Sequence, residues 1–333
     1  MRALQYWEDA PLIRRPIWIW ADALLGSFNL AGGHFGSTDW GGGNKAQVIA
    51  EQLPVLLQQG YTAVVSAGSE ASNHIQAISQ ACCFFGLKCD LTLYPVPGDW
   101  YDPTLRLQGL KENGAVVHRI EHAEILSQAM SNSLDFLRKQ GNKTFYWHSD
   151  GDPVYAIPSY IKACERFLSA WGRNGESAHT HGTSRGPEQV FLATGTGLTL
   201  TGLRLGLPMT TALHGLSIAR DAHRIEADVA FNLDRYLRCH NKAEITEPFM
   251  HRPLQHWQVN DTHRKGGYGR IDTDLIRLSR ELTERAGIEF DPIYTAKAYA
   301  GMCALLKGQV HKSVVFWHTG PRTMNVIPQA ATS

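Results

Sequence analysis

Strand-like and helix-like patterns alternate along almost the whole chain, and few folds accommodate that rhythm. The strand candidates are short apolar, β-branched runs: Ala63–Ser66, Asp90–Tyr94, Ala115–His118, Gln189–Ala193, Thr211–His214 and Ser313–Trp317. Helical spacing of apolar residues fills most intervals, including Ala46–Gln59 and Ser159–Ala170. Such alternation folds into parallel-rich sheets covered by helices on both faces, an α/β architecture. With 333 residues, 43% of them hydrophobic, the chain can build two compact domains with substantial cores. No internal repeat of about twenty to fifty residues interrupts the pattern.

Three junctions carry residues able to do chemistry. In the first, Gly41-Gly42-Gly43-Asn44-Lys45 sets a lysine on a backbone free to take positive-φ turns. A turn of this kind presents the amine either to solvent, as an ordinary surface loop, or to a cavity. Desolvation favours the neutral amine, which suits Schiff-base chemistry with a carbonyl substrate or pyridoxal phosphate. In the second, the run Tyr61–Gly68 leads to Ser72-Asn73-His74, followed by Ile75, Ile78, Ala81, Cys82 and Phe85 at helical spacing. Ser72 and Asn73 belong at a helix N-cap. They also belong at the C-terminal edge of a strand, where open α/β sheets bind ligands. His74 has two open roles, a structural hydrogen bond or a substrate contact. In the third, Val190–Ala193 runs into Thr194-Gly195-Thr196-Gly197-Leu198-Thr199 and a helix from Leu200. Successive N–H groups and a helix N-terminus make an anion nest there, best matched to a phosphate monoester. Neither a Walker A sequence nor the full Gly-x-Gly-x-x-Gly fingerprint is present.

Further on come Gly266-Gly267-Tyr268-Gly269, Asp291-Pro292-Ile293-Tyr294-Thr295-Ala296-Lys297-Ala298 and Phe316-Trp317-His318-Thr319-Gly320. In this order, the segments from about Gly41 to Gly320 resemble the fold-type-II pyridoxal-phosphate enzymes of the 1-aminocyclopropane-1-carboxylate deaminase and D-cysteine desulfhydrase group. The resemblance implies a two-domain, tryptophan synthase β-like fold. Its smaller domain is expected over 46–160, with 1–45 and 161–333 forming the larger, cofactor-binding one. It implies pyridoxal 5′-phosphate as cofactor, with Lys45 as the Schiff-base lysine and Asn73 bonded to the cofactor's phenolic oxygen. Ser72 is implied to contact the substrate carboxylate and assist proton movement. Thr194, Gly195, Thr196, Gly197, Leu198 and Thr199 would cradle the phosphate, and Thr319 would lie beside the pyridine nitrogen. Tyr268 and Tyr294 would face the substrate, with Tyr294 the better placed for acid/base work. The catalytic set is then Lys45, Ser72, Tyr268 and Tyr294; the substrate-binding set is Ser72, Asn73, His74, Tyr268 and Tyr294.

Two positions bear on the branch of the family. The deaminases carry a glutamate after the tyrosine matching Tyr294 and a leucine at the position of Thr319; Thr295 and Thr319 look like D-cysteine desulfhydrase. A carboxylate near the ring nitrogen favours a protonated, strongly electron-withdrawing pyridinium, whereas a hydroxyl favours the neutral ring. Loss of a β-thiol needs less delocalisation than opening a cyclopropane. The chain also departs from the family pattern. Val48 replaces a usual phosphate-binding lysine, Ala71 a usual glutamine, and Pro321 a common glycine. These changes leave open an altered substrate.

Composition excludes several classes. Net charge is +1, without the basic footprint of a nucleic-acid or anionic-membrane binder. No apolar run approaches the roughly eighteen residues of a membrane span. The start, with Glu8 and Asp9 and no extended apolar core, argues against a secretory signal. The six cysteines form neither a metal pattern nor a disulfide framework and read as small buried hydrophobes in a reducing cytosol. His179 and His181 lie in a polar, glycine-rich stretch, 172–187, read as a surface loop, and no metal is expected. The reading is a cytoplasmic, homodimeric lyase acting on a small amino acid, with β-elimination on D-cysteine or a relative preferred. Cyclopropane deamination, a specialised amino-acid lyase and a catalytically silent cofactor binder stand as alternatives.

Overall fold

Residues 3–21, 27–30, 33–36, 43–98, 100–148, 151–173, 186–240, 256–309 and 313–320 are described by a computed structural model, 27–30 and 33–36 by backbone alone. The chain opens with β1 (Leu4–Trp7) and β2 (Ile17–Ala21), paired antiparallel from Leu4 opposite Trp20 to Trp7 opposite Ile17. An antiparallel ribbon of β3 (Ser27–Leu30) and β4 (Gly33–Gly36) follows. Next come α1 (Lys45–Gln58), β5 (Ala63–Ser69), α2 (Asn73–Phe85) and β6 (Lys88–Tyr94). This run ends with α3 (Thr104–Glu112), β7 (Val116–Arg119), α4 (Leu126–Lys139) and β8 (Thr144–Trp147). The chain continues through α5 (Pro153–Arg173), β9 (Gln189–Thr194), α6 (Leu198–Gly206), β10 (Ala212–Ser217) and α7 (Ala222–Cys239). It closes with β11 (Trp257–Asn260), α8 (Thr273–Ala286), α9 (Thr295–Leu306) and β12 (Val314–His318).

Contacts divide these elements into two units, one of Met1–Leu25 with Pro153–Gly320, the other spanning Gly26–Asp152. The boundaries fall at 25/26 and 152/153, where 45/46 and 160/161 were expected. One reason lies in α5, a continuous helix with Ala156, Ile157, Tyr160, Ala163 and Phe167 all buried, which a break at residue 160 would cut. Lys45, at the start of α1, accordingly belongs to the smaller unit.

In the smaller unit β7, β6, β5 and β8 form an all-parallel sheet in that order. The apolar start of β5 is buried, as expected for a strand covered on both faces. On α2, Ile75, Ile78, Ala81 and Cys82 form the buried stripe. Gly86 ends the helix at φ 69°, its N–H meeting the Cys82 and Cys83 carbonyls.

The larger unit holds a six-stranded sheet ordered β1, β2, β12, β9, β10, β11, parallel except for β1 against β2. Side-chain alternation along β12 separates two cores. Phe316 packs with Ile17, Ile19 and Phe191 of the sheet and with Leu278, Leu282 and Met302 of α8 and α9. Trp317, on the other face, packs with Trp20, Leu192, Leu203 of α6 and Phe167 and Trp171 of α5. Burying each such side chain stabilises by about 1.5–3 kcal/mol, so the central strands are held from both faces. Among the described residues no helix is long and apolar enough to cross a membrane.

Candidate active site

Candidate residues fall in two groups, one in each unit. In the smaller unit, Gly43 takes a left-handed φ of 61° and its carbonyl accepts the Ala46 N–H at 3.2 Å, which turns the chain into α1 with Lys45 as its first residue. Gly41 and Gly42 lie outside the described residues. Lys45 is half-buried, while Val48, one turn on, is wholly buried.

The chain leaves β5 at Ser69 and enters α2 at Asn73 through a tight turn, the Ser72 N–H donating to the Ser69 carbonyl at 2.9 Å. Ser72 is the N-cap residue, yet its side chain makes no capping hydrogen bond, so capping does not account for the serine. Asn73 is buried, and its amide oxygen has no hydrogen-bond partner among the described residues. Leaving a buried amide unmet costs about 1–3 kcal/mol. A half-turn of its terminal torsion offers the NH2 at the same place instead. His74 is engaged structurally: the Ser66 hydroxyl donates to the Trp147 carbonyl at 2.8 Å and accepts from His74 Nε2 at 2.9 Å, tying α2 to β5 and β8.

Sequence reasoning missed Arg106 on α3. Its Nη1 donates to the Ser72 carbonyl at 3.1 Å, while Nε and Nη2 are buried without a partner among the described residues. No local pattern announces this contact across 34 positions of sequence.

In the larger unit, β9, β10 and β12 end at one edge of the sheet, with Ser217 opposite Thr194 and Trp317 opposite Leu192. Thr194 therefore closes β9 near Thr319, the residue after β12. The Thr194 hydroxyl is buried without a partner among the described residues, and an added Cβ on Gly215 would stand 2.9 Å from it. Gly195-Thr196-Gly197 then leads into α6, whose first residue is Leu198, with Thr199 beside it. Gly197 is required by the protein itself: φ is 77°, and an added Cβ would lie 2.7 Å from Val229 Cγ2. Gly195 is different. An added Cβ there meets only Ile218 Cδ1, at 3.9 Å, so packing does not demand glycine. The room left there admits close approach of an anion to the loop's N–H groups, and the α6 N-terminus adds positive potential.

Tyr268 and Tyr294 are brought together, their hydroxyls 2.5 Å apart and ring centroids 5.8 Å apart. Tyr294 is the N-cap of α9. Asp291 organises that helix start: its carboxylate accepts the Tyr294 N–H at 2.7 Å and the Thr295 hydroxyl at 3.0 Å. Burial raises the Asp291 carboxyl above its ordinary pKa, and these hydrogen bonds pull the other way. Thr295 is fully buried, and its hydroxyl is committed to this carboxylate. The comparison of a hydroxyl with a carboxylate at this position left out Asp291, which the Thr295 hydroxyl meets. An aspartate just ahead of a helix start is the sequence signal that could have found it.

Beside Thr319, His318 donates from Nε2 to the Glu289 carbonyl at 2.8 Å, while Nδ1 has no partner among the described residues. Burial lowers its pKa to about 4, so the ring is neutral at physiological pH. An added Cβ on Gly320 would stand 3.1 Å from both His318 Cε1 and Thr295 Cγ2 and 3.4 Å from Asp291 Oδ2. His179, His181 and Pro321 lie outside the described residues. Among those described, no group of three or more His, Cys, Asp or Glu is arranged to hold a metal ion.

In the smaller unit, an amine at a helix start and an unmet buried amide suit a carbonyl compound; in the larger, an unmet threonine hydroxyl and a glycine loop with room at Gly195 suit a phosphate. Comparison with known proteins agrees. The pyridoxal-phosphate dependent enzyme family model matches residues 38–320. A putative 1-aminocyclopropane-1-carboxylate deaminase of Pyrococcus horikoshii is 25% identical over 285 residues, covering 84% of this chain and 80% of that protein. The bifunctional mitochondrial D-cysteine desulfhydrase/1-aminocyclopropane-1-carboxylate deaminase of Arabidopsis thaliana is 25% identical over 294 residues, 84% of this chain and 68% of the relative. D-cysteine desulfhydrase of Serratia proteamaculans is 23% identical over 290 residues, 84% and 82% of the two chains. In fold, the crystal structure of an ACC deaminase homologue superposes with a TM-score of 0.71 at 22% identity, covering 96% of this chain and 88% of that one. By the extent of the family match, this chain belongs to the pyridoxal-phosphate dependent enzymes, in a group of lyases and deaminases whose cofactor is pyridoxal 5′-phosphate.

Proposed function

We propose that this protein is a lyase that eliminates the β-substituent of D-cysteine or a related amino acid, giving pyruvate, ammonia and, from cysteine, sulfide. The observation that carries this reading is the hydroxyl pair of Tyr268 and Tyr294, held 2.5 Å apart at the start of α9. A tyrosine hydroxyl hydrogen-bonded to a second one can give or take a proton within that pair. Pyridoxal phosphate, when bound, supplies the electron sink that makes the substrate Cα–H acidic. Lys45 is the residue assigned to hold it covalently, with Asn73 at its phenolic oxygen, Thr319 at its ring nitrogen and Thr194–Thr199 at its phosphate. Lys45 Nζ, freed as an amine once the substrate amine has taken its place, or the Tyr294 hydroxyl takes the Cα proton. The Cβ–S bond then breaks with its electron pair, and the leaving thiolate is protonated. Water hydrolyses the released enamine. Ser72 is assigned to the substrate carboxylate, and the Arg106 guanidinium beside its carbonyl adds positive charge there. Cytoplasmic location and a homodimer belong to the same proposal.

A second reading is favoured by specific residues. The buried Asp291 carboxyl bonded to Thr295 places an acidic group beside Gly320, the residue after Thr319, and Val48 and Ala71 are both buried departures from the family pattern. These features suit cyclopropane deamination or a specialised amino-acid substrate. The test begins with borohydride reduction of cofactor-loaded protein and peptide mapping. The increment is expected on Lys45, with none there in Lys45→Ala; attachment at another lysine sinks the assignment. Saturating D-cysteine and 1-aminocyclopropane-1-carboxylate are then compared on one preparation. Faster pyruvate release is expected, faster 2-oxobutyrate release supports the second reading, and no turnover points to a specialised substrate or a silent binder.

A further inference from the structure

Lys297 belongs to the most specific motif of the chain, yet the chemistry above gives it no task. Its side chain is buried, and Nζ reaches three main-chain carbonyls: Gly267 at 2.9 Å, Arg264 at 3.2 Å and Ile218 at 3.4 Å. The first two come from the loop that carries Tyr268, and the third follows β10. An ammonium has three N–H donors and no acceptor, so three converging carbonyls satisfy it completely. The loop is coiled to turn those carbonyls inward. Lys265, Gly266, Gly267 and Gly269 all have positive φ, at 53°, 81°, 121° and 68°. Lys265 adopts it without being glycine, which is a strained choice. The Arg264 carbonyl also accepts the Gly267 N–H at 3.0 Å, and the Gly267 carbonyl the Arg270 N–H at 3.3 Å.

We infer that Lys297 is a positioning residue: through the Arg264 and Gly267 carbonyls it holds the Tyr268 loop so that the Tyr268 hydroxyl meets that of Tyr294. Tyr294 caps the helix that bears Lys297, so α9 carries one partner of the hydroxyl pair and fastens the loop that carries the other. The inference rests on the proposed role of this pair, but the loop's attachment is measurable without cofactor or substrate. The surrounding charges are those of Asp291, Asp272 and Lys265, with Arg264 paired to Asp221 on the loop itself and His263 packed against Gly301 of α9. Burial lowers the Lys297 pKa to about 8, with Asp291 and Asp272 opposing the shift and Lys265 adding to it. Above that pH the neutral amine keeps two N–H donors for three carbonyls. The loss is local. Between about 8 and the ordinary 10.5 the unfolded chain binds more protons than the folded one, so this group's contribution to global stability rises with pH.

The test uses Lys297→Met, which removes the donors at similar size, and Lys297→Arg, which retains charge at every accessible pH. In cofactor-free protein at pH 7, hydrogen exchange across 262–269 should quicken about tenfold in Lys297→Met relative to a reporter peptide in β9, and far less in Lys297→Arg. In loaded enzyme, Lys297→Met should lower kcat about tenfold or more with cofactor affinity within about twofold of wild type. An alkaline limb near pH 8 in kcat should be present in wild type and absent in Lys297→Arg. Unchanged exchange across 262–269 in a folded Lys297→Met protein overturns the inference, as does an alkaline limb that persists in Lys297→Arg. If Lys297→Met does not fold, the Lys297→Arg pH profile alone decides. Failure of cofactor attachment at Lys45 would leave the exchange result intact, which separates this inference from the functional proposal.

Discussion

Gly195 and Gly197 flank Thr196 and answer to different constraints. At Gly197, φ is 77° and any side chain runs into Val229 and the Ile225 carbonyl. Valine there should cost at least about 1–3 kcal/mol from overpacking and about 1–2 kcal/mol more from its left-handed backbone. At Gly195 the protein itself offers room for a Cβ. Gly195→Val should therefore leave the melting temperature of cofactor-free protein nearly unchanged and weaken pyridoxal phosphate about tenfold or more. Gly197→Val should lower the melting temperature first. Thermal unfolding without cofactor, paired with cofactor titration, separates the two; undiminished affinity in Gly195→Val would move the phosphate to another part of the fold. From sequence, both glycines looked equally tied to phosphate. Only the positions of Val229 and Ile225, brought back by α7, tell them apart.

Among elements, α1 shows how a departure from family pattern is absorbed. Val48 lies on its buried face, and an added Cβ on Gly151, whose φ is 91°, would stand 2.8 Å from Val48 Cγ1 and 3.3 Å from Gln52 Oε1. Restoring the family lysine with Val48→Lys puts an amine into this packed space. The expected result is a loss of about 2–3 kcal/mol in stability by urea unfolding, as for an unpaired charge in a core, without a gain in cofactor affinity. Tighter cofactor binding at unchanged stability would show that the side chain escapes toward the phosphate. The central parallel strands were readable because strands buried on both faces are continuous apolar runs; β5, β6, β9, β10 and β12 all announce themselves. Of the short edge strands, β7 was readable too, as Ala115–His118, but β1 and β8 were not. β1 and β8 each have four residues with mixed burial, and their pairing depends on distant partners. Helix α5 begins at Pro153, well before the expected Ser159, because Pro158 reads locally as a breaker while buried Ile157 and Tyr160 hold the helix against it. The serine and asparagine of the candidate site were legible from their strand–turn–helix setting, and the lysine from the glycine run before it. Asp291 with Thr295, Arg106 with Ser72 and the carbonyls around Lys297 were not, because tertiary packing creates those contacts.

For the whole molecule, acid stability should carry the mark of His318. Its folded pKa of about 4 lies below the ordinary 6.5, so between those values the unfolded chain takes up a proton that the native ring refuses. Stability then falls as pH drops through that window, by roughly 3 kcal/mol in all. Asp291 acts in the opposite sense, since a carboxyl raised by burial favours the folded state as pH falls. Replacing His318 by glutamine, which can still donate to the Glu289 carbonyl, should flatten the decline between pH 6.5 and 4, read as the difference between urea midpoints of the two proteins. Equal pH slopes would show that the ring protonates in place.

The order of strands across the larger sheet has a consequence for how the protein is made. β12 sits between β2 and β9, so a strand from near the end of the described chain joins one from its beginning to one from its middle. During synthesis β5 through β8 can close their sheet as soon as residue 147 has left the ribosome, with every partner already present. The other sheet cannot. Until Val314–His318 emerge, β2 and β9 wait with unpaired edges, and those are the edges a nascent chain must keep from meeting a neighbour's. A ribosome stalled before Val314 would thus carry one finished sheet and one open in its middle.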